Sequence, residues 1–293
     1  MDKKLELLRD EYKNIPIPAE LDTVVQKALN QPKKPRRSYK WVVGTVAAAA
    51  IFIVGLNTSP TFAKTMSEIP VVGNVVKVFT FKDYHFDDKN FNAHIQTPKV
   101  KNLENKQLES SLNQKYVEEN RKLYKEFSKE MKDLKKQGGG HLGVDSGYEV
   151  KTDNDQILSI ERYVTKIQAS SDTTLTFDTI DKKKQILLTL PILFKNDQYI
   201  DLISENIKDQ MHQQMKKDSN KIYWVSGKRD LDIRPEEMFN KISANQNFYI
   251  NKNHKLVIAF NQFDVAPGYM GTVEFVIPTS VISNILVGNE YIK

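Results

Sequence analysis

The chain has 293 residues, with 40% hydrophobic and 27% charged residues, which is ordinary globular composition for one large or two medium domains. It contains no cysteine, which excludes a disulfide scaffold and a thiolate zinc site. The net charge of +6 is concentrated near the N-terminus, where residues 1–63 hold ten of the 43 Lys and Arg but only six of the 37 Asp and Glu. Because the remaining residues are almost neutral, we expect no nucleic-acid partner.

Residues 1–40 contain two short helical patterns separated by a proline-rich break at residues 15–18. Segments of this size cannot bury enough surface to fold alone. They could form a helical hairpin on the membrane or order on a cytosolic partner, and the five cations and six anions of residues 1–30 favour the partner. The apolar stripes that would contact it are Leu5, Leu8 and Tyr12, followed by Leu21, Val24, Val25 and Leu29.

Residues 41–63 are the predicted membrane span. They form an uncharged run of 23 residues, and a hydrocarbon core about 30 Å thick needs roughly 20 as a helix. A buried core helix is one alternative, and a signal peptide that ends at Thr61-Phe62-Ala63 is another, although its 40-residue leader would be too long. A single-pass protein at the cell membrane with a cytoplasmic N-terminus and an extracellular C-terminal domain is therefore predicted, since five cations precede the span: Lys33, Lys34, Arg36, Arg37 and Lys40.

Residues 64–293 have the pattern of an α+β domain, in which antiparallel strands carry packed helices. The longest helical signal runs from about residue 103 to 137, where apolar residues recur at steps of three, four and seven. Such a stripe could pair in a coiled coil, but packing on a sheet is its commoner use. A second helix follows Asn196 or Asp197, either of which suits an N-cap. Residues 75–81 suit either a juxtamembrane element or a first strand. The other predicted strands are a short one in 91–100 that ends at Pro98, 142–150, 157–168, 173–180, 186–190, 223–224, 248–250, 255–265 and 272–277, with small helices near 235–243 and 279–287.

Enzyme motifs are poorly matched, so we predict no catalytic residue, metal or cofactor. The motif Gly143-Val144-Asp145-Ser146-Gly147 places serine one position too late for a nucleophile elbow and lies in a predicted strand. The five histidines never occur as HExxH or HxH. Asp87 and Asp88 with His85 or His94 offer suitable atoms for a metal, but such polar clusters are usually only solvated.

The segment Ala266-Pro267-Gly268-Tyr269-Met270-Gly271 joins the last two predicted strands. Proline followed by glycine suits the two central positions of a type II turn, so a simple hairpin loop explains it. The alternative is that the loop presents Tyr269 and Met270 as rigid apolar contacts for a ligand, because aromatic residues on loops often dominate binding.

Several blocks together resemble the anti-sigma-V factors of Firmicutes: MDKKLELLRDEYKNIPIPAEL at the start, the basic run and span, MSEIPVVG, DKKKQILLTLPILFK and NQFDVAPGYMG. The resemblance covers essentially the whole chain. It implies that residues 1–40 sequester an extracytoplasmic-function sigma factor and that residues 64–293 bind lysozyme. It also implies that signal peptidase and then an intramembrane protease cut the chain and free the sigma factor.

The resemblance also suggests site residues. Pro267, Gly268 and Tyr269 match a ligand-contacting loop, and Ser170 and Ser171 match a serine pair on the same face. The family's Ala-x-Ala cleavage pattern is replaced here by Ala63-Lys64-Thr65, so a cut between Ala63 and Lys64, after Thr61-Phe62-Ala63, fits signal peptidase better. The alternative function is a membrane-anchored peptidoglycan-binding protein, or one associated with a peptidoglycan deacetylase.

Overall fold

The computed structural model describes residues 76–227 and 234–293. Within those ranges, every helix is too short or too polar to cross a membrane. The predicted cytoplasmic segment and the predicted span at 41–63 lie outside the described residues. The elements are β1 (Lys77–Asp88), β2 (Phe91–Lys101), α1 (Lys106–Lys136), β3 (Leu142–Asp153), β4 (Ile157–Ile167), β5 (Ser171–Asp181), β6 (Ile186–Leu188), α2 (Gln198–Lys217), β7 (Phe248–Ile250), β8 (Leu256–Phe260), β9 (Val273–Ile277) and α3 (Thr279–Ile282).

The larger sheet contains six strands in the sequence order β1 to β6. Neighbouring strands run antiparallel except β2 and β3, which pair in parallel from Phe91 opposite Leu142 to Ile95 opposite Ser146. Parallel neighbours need a long crossover connection, and α1 supplies it. The α+β class predicted from the sequence is therefore confirmed, with one parallel pair that the sequence pattern did not reveal.

Helix α1 begins where Asn105 accepts a hydrogen bond at Oδ1 from the backbone N–H of Leu108, at 3.1 Å. Its stripe of large apolar side chains is buried against one face of the sheet, as the periodicity predicted. The buried residues of this stripe are Leu108, Leu112, Tyr116, Leu123 and Phe127.

Strand β2 continues through Pro98 to Lys101, so the prediction that it ends at the proline was wrong. Proline is tolerated because β1 is bulged opposite it, between Thr80 and Lys82, and because β3 pairs with β2 only as far as Ile95. Side-chain amides of α1 form hydrogen bonds with the backbone groups of β2 that β3 does not pair. Asn113 bonds both the N–H and the carbonyl of Val100 at 2.8 Å, and Asn120 donates to the carbonyl of Gln96 at 2.9 Å.

A charged network is buried between α1 and the sheet. Asp178 on β5 accepts from Lys115 at 2.9 Å and from Arg162 at 3.2 Å, and Arg162 also pairs with Glu119. Burial alone would raise the pKa of Asp178, but the two cations outweigh it and lower the pKa to about 2. This carboxylate therefore stays ionised within the core of the domain.

The C-terminal part is built from the antiparallel sheet β7–β8–β9 and helix α2. β8 and β9 pair from Leu256 opposite Ile277 to Phe260 opposite Val273, which confirms the predicted last hairpin. Helix α2 buries Ile203, Ile207 and Met211 in the same apolar core. The ring of Tyr249 on β7 stacks on Phe177 of β5 at 5.4 Å, so this part covers the face of β5 that lies away from α1.

Two short predictions in this part were wrong. Tyr223 and Trp224 belong to no named strand, because the backbone of Trp224 bonds singly to Val265 and to Phe239 from two separate loops. The small helix expected near 235–243 is only the 3₁₀ turn Pro235–Glu237. Both segments are fixed by contacts with distant parts of the chain, which local propensity does not report.

Candidate ligand-binding face

The loop at 266–271 has a different shape from the one predicted. Pro267 is extended (φ −59°, ψ 152°), and Gly268–Met270 form a 3₁₀ turn in which the N–H of Met270 donates to the carbonyl of Pro267 at 2.9 Å. The positive φ falls on Gly271 (64°), whereas a type II turn would need it on Gly268. The type II assignment is therefore wrong.

The backbone at Gly268 packs closely against an aromatic ring. A Cβ at this position would lie 2.4 Å from ring atoms of Phe263, so the ring would have to move. Phe263 itself has a positive φ of 68° and its side chain is 42% exposed. The absence of a side chain at Gly268 therefore lets an aromatic ring lie directly against the loop backbone.

Tyr269 is the most exposed large side chain of the loop, at 65%. Its hydroxyl nevertheless donates to the carbonyl of Asn220, in the turn after α2, at 2.8 Å. The ring is thus held in one place while most of its surface faces solvent. Met270 instead packs against the core, so the expectation that both side chains would be presented holds only for Tyr269.

Gln262 joins this loop to the strand that begins at the predicted serine pair. Its Nε2 donates to the carbonyl of Gly268 at 2.7 Å, and its Oε1 accepts from the N–H of Thr173 at 3.0 Å. Ser170 and Ser171 are exposed at the turn between β4 and β5, two to three residues before Thr173. The loop and the serine pair therefore lie at the same end of β5.

Acidic and apolar groups lie beside them. Burial raises the pKa of Asp264, and the nearby carboxylate of Asp172 raises it further, against the lowering effect of its bond from the backbone of Asn261. The exposed apolar side chain of Ile167, opposite Ser171 in the β4–β5 pairing, adds to the surface. We call this set of residues, 167–172 and 262–269, the β5-end face.

The other sequence candidates have no such arrangement. Ser146 is buried within β3, so the nucleophile-elbow reading fails, as expected. Asp88 forms an ion pair with Lys135, and the carboxylate that meets His85 and His94 is Asp83. The candidate sigma-binding residues and the cleavage site lie outside the described residues: Leu5, Leu8, Tyr12, Leu21, Val24, Val25, Leu29, Ala63 and Lys64.

Family models match both halves of the chain. Residues 33–180 match a domain of unknown function, DUF4179, and residues 192–280 match a protein family of unknown function, DUF3298. A crystal structure of a DUF3298 family protein from Pseudomonas aeruginosa PAO1 is similar at a TM-score of 0.52 and 11% identity, covering 74% of this chain and 96% of that one. A DUF3298 family member from Bacteroides fragilis has a TM-score of 0.50 and 17% identity, over 73% of this chain and 94% of that one.

These likenesses define the fold of the described region as mixed α+β, with a DUF3298 domain in its C-terminal part. A relative of known name goes further. The anti-sigma-V factor RsiV of Bacillus subtilis is 49% identical over 294 residues, covering 100% of each chain. The chain belongs to the anti-sigma-V factor family, as the sequence blocks indicated.

Proposed function

We propose that this protein is a non-enzymatic membrane anti-sigma factor that releases its sigma factor when it binds lysozyme. Residues 1–40 form the cytoplasmic sigma-binding segment, residues 41–63 the single span, and residues 64–293 the extracellular receptor. The observation that carries the proposal is the 49% identity over the whole chain to an anti-sigma-V factor. Identity over the full length includes the segments that would lie on both sides of the membrane.

Sigma binding is assigned to the two apolar stripes of residues 1–40. A helix that binds a groove through such a stripe loses a few kcal/mol of binding free energy when a buried anchor residue becomes charged. Leu8→Glu and Val25→Glu should each abolish co-purification of the cognate sigma factor with the full-length chain and give constitutive expression of its target genes. Lys13→Glu, a polar position between the stripes, is the matched control. Normal repression by both stripe variants would contradict this assignment.

Lysozyme binding is assigned to the β5-end face. Lysozyme is strongly basic, whereas residues 64–293 carry 33 cations and 31 anions, so overall charge cannot attract it. The carboxylates of Asp172 and Asp264 provide a local acidic patch, and Tyr269 provides an exposed ring whose position is already fixed. A fixed anchor loses little entropy on binding. The carboxylates, the exposed ring and its fixed position support recognition of lysozyme through shape and local charge.

Release is assigned to two successive cuts. Ligand binding would make the bond between Ala63 and Lys64 accessible to signal peptidase, and an intramembrane protease would then free the sigma-bound segment. The test uses membranes that contain the full-length chain, with lysozyme added and the outer fragment detected by immunoblot. The fragment should appear with wild-type protein, and Tyr269→Ala should need a higher lysozyme concentration to give the same amount of it. Equal cleavage with and without lysozyme would contradict the receptor role.

A further inference from the structure

Three side chains on β1 and β2 converge at one point. The Nε2 atoms of His85 and His94 lie 3.1 and 3.0 Å from the same oxygen of Asp83, Oδ1. The ligand atoms of these three residues all lie within 4.8 Å of one another. Within residues 76–227 and 234–293, no other group of three His, Asp or Glu side chains brings its ligand atoms this close together.

Strand geometry explains the convergence. Side chains alternate between the two faces of a strand, and Tyr84 and Phe86 on β1 face α1, where they contact Tyr124 and Phe127. Asp83 and His85 therefore lie on the opposite face. The pairing of β1 with β2 places His85 directly opposite His94, so the sheet brings the donors together without any loop rearrangement.

A fourth residue orients one of the imidazoles. Asp145 is paired with His94 across β2 and β3, and its Oδ1 lies 3.0 Å from His94 Nδ1. Asp145 also interacts with the hydroxyl of Tyr163 on β4. A carboxylate bonded to the Nδ1–H of a histidine fixes the tautomer that leaves Nε2 free as a ligand.

Proton counting makes the arrangement incomplete without a further positive charge. A neutral imidazole carries one N–H, and when His94 donates from Nδ1 to Asp145, its Nε2 is an acceptor. That acceptor faces the acceptor Oδ1 of Asp83 at 3.0 Å. Two acceptors at this distance repel unless a second proton or a cation lies between them.

We propose that Asp83, His85 and His94 form a site for a divalent first-row transition ion, with Asp145 as a positioning residue for His94. A tetrahedral zinc ion with bonds of about 2.0–2.2 Å holds its ligand atoms roughly 3.3–3.5 Å apart, close to the separations around Asp83 Oδ1. The +2 charge of the ion balances the two negative charges of Asp83 and Asp145. Nitrogen and oxygen ligands without cysteine suit zinc, nickel or copper, and a fourth position remains open to water.

One adjustment is needed for coordination. The two rings are stacked at 4.3 Å with an interplanar angle of 16°, and an ion on both Nε2 lone pairs requires them to tilt toward each other. The side chain of His85 is 68% exposed, so its ring can rotate without displacing the core. His94, held by Asp145, would keep its orientation.

The test is a titration of the purified full-length chain in detergent with zinc chloride, followed by calorimetry. The protein carries no polyhistidine tag and is treated with EDTA and dialysed first. With no cysteine in the chain, thiolates cannot compete for the ion. We expect saturable binding of one ion per chain and a higher Tm with zinc present. With cobalt in place of zinc, a visible absorption band should appear.

Variants separate the site from incidental histidine binding. His85→Ala and His94→Ala should each weaken zinc binding by at least tenfold, and Asp145→Asn by roughly 10- to 100-fold. His141→Ala, an exposed histidine outside the cluster, should bind as wild type. If His94→Ala fails to fold, His85→Ala still decides the question, because its side chain is mostly exposed. Absence of saturable binding, or wild-type affinity in His85→Ala, would overturn the proposal, and wild-type affinity in Asp145→Asn would overturn the positioning role.

Discussion

Replacing Tyr269 by alanine tests the β5-end face most directly. A tyrosine side chain buries about 150–250 Å² when it is fully covered. At 65% exposure, roughly 130 Å² remains for a ligand to cover, and about 25 cal/mol per Å² gives some 3 kcal/mol. Part of this gain offsets the cost of association, so Tyr269→Ala should weaken lysozyme binding by about 1–3 kcal/mol, or roughly 5- to 150-fold in Kd.

The stability of the domain must be measured alongside its affinity. The alanine variant also loses the hydrogen bond to Asn220, which contributes about 1 kcal/mol to folding. Tyr269→Phe loses only this bond and keeps the ring, so it should unfold at a slightly lower temperature and bind lysozyme almost as well as wild type. Val287→Ala is a control at a position that is 64% exposed and whose backbone bonds to Leu193.

Calorimetry gives the affinity, and thermal unfolding gives the stability, of all three variants. The assignment fails if Tyr269→Ala binds as tightly as wild type with its fold intact. Equal losses for Tyr269→Phe and Tyr269→Ala would also contradict the reasoning, because they would assign the effect to the position of the loop and not to the ring.

Gly268→Ala should displace the Phe263 ring and weaken lysozyme binding, and the loss should shrink when Phe263→Ala is added, as a double-mutant cycle would measure. Asp178→Asn should destabilise the domain by about 3–5 kcal/mol at pH 7, because Arg162 loses a buried partner. The folded-state pKa of Asp178 is depressed to about 2, so its contribution is present above pH ~4 and is lost as the pH falls toward 2. Denaturant unfolding should therefore show a smaller difference between variant and wild type at pH 3 than at pH 7, and an unchanged difference would contradict this cause. Ala63→Trp should block the first cut, and N-terminal sequencing of the wild-type fragment should begin at residue 64, whereas a start at residue 66 would refute the assigned bond.

Periodic patterns of apolar residues predicted the helices and strands that bury one regular face. Helix α1 buries the expected apolar stripe from Leu108 to Phe127, and the last hairpin has the expected pairing. The predicted end of β2 was too early, because proline usually interrupts the hydrogen bonds between strands. The sequence does not show that β3 leaves β2 unpaired beyond Ile95. Features that depend on which strands are neighbours are therefore the ones that local patterns miss.

The same limit applies to the sites. Tyr269 could be singled out because an aromatic residue beside proline and glycine is distinctive, but its anchor at Asn220 is 49 residues away. The histidine pair could be noticed in the sequence, yet it was grouped with Asp87 and Asp88 because they are nearby in the chain. Asp83 and Asp87 lie on the same face of β1 as His85, but it is Asp83 that contacts both imidazoles in the folded sheet, and the parallel pairing of β2 with β3 brings in Asp145. Neither follows from spacing alone.

The covered strand edges bear on the outer fragment that the proposed cleavage would release. An unpaired edge is a template on which another chain can add, and it promotes aggregation. Helix α1 covers the open part of β2 with Asn113 and Asn120, and Gln262 covers β5 near Thr173. β1, at the end of the sheet, is interrupted by its bulge opposite Pro98. If the outer domain is released as proposed, these stretches of β1, β2 and β5 would be less available for pairing with another chain.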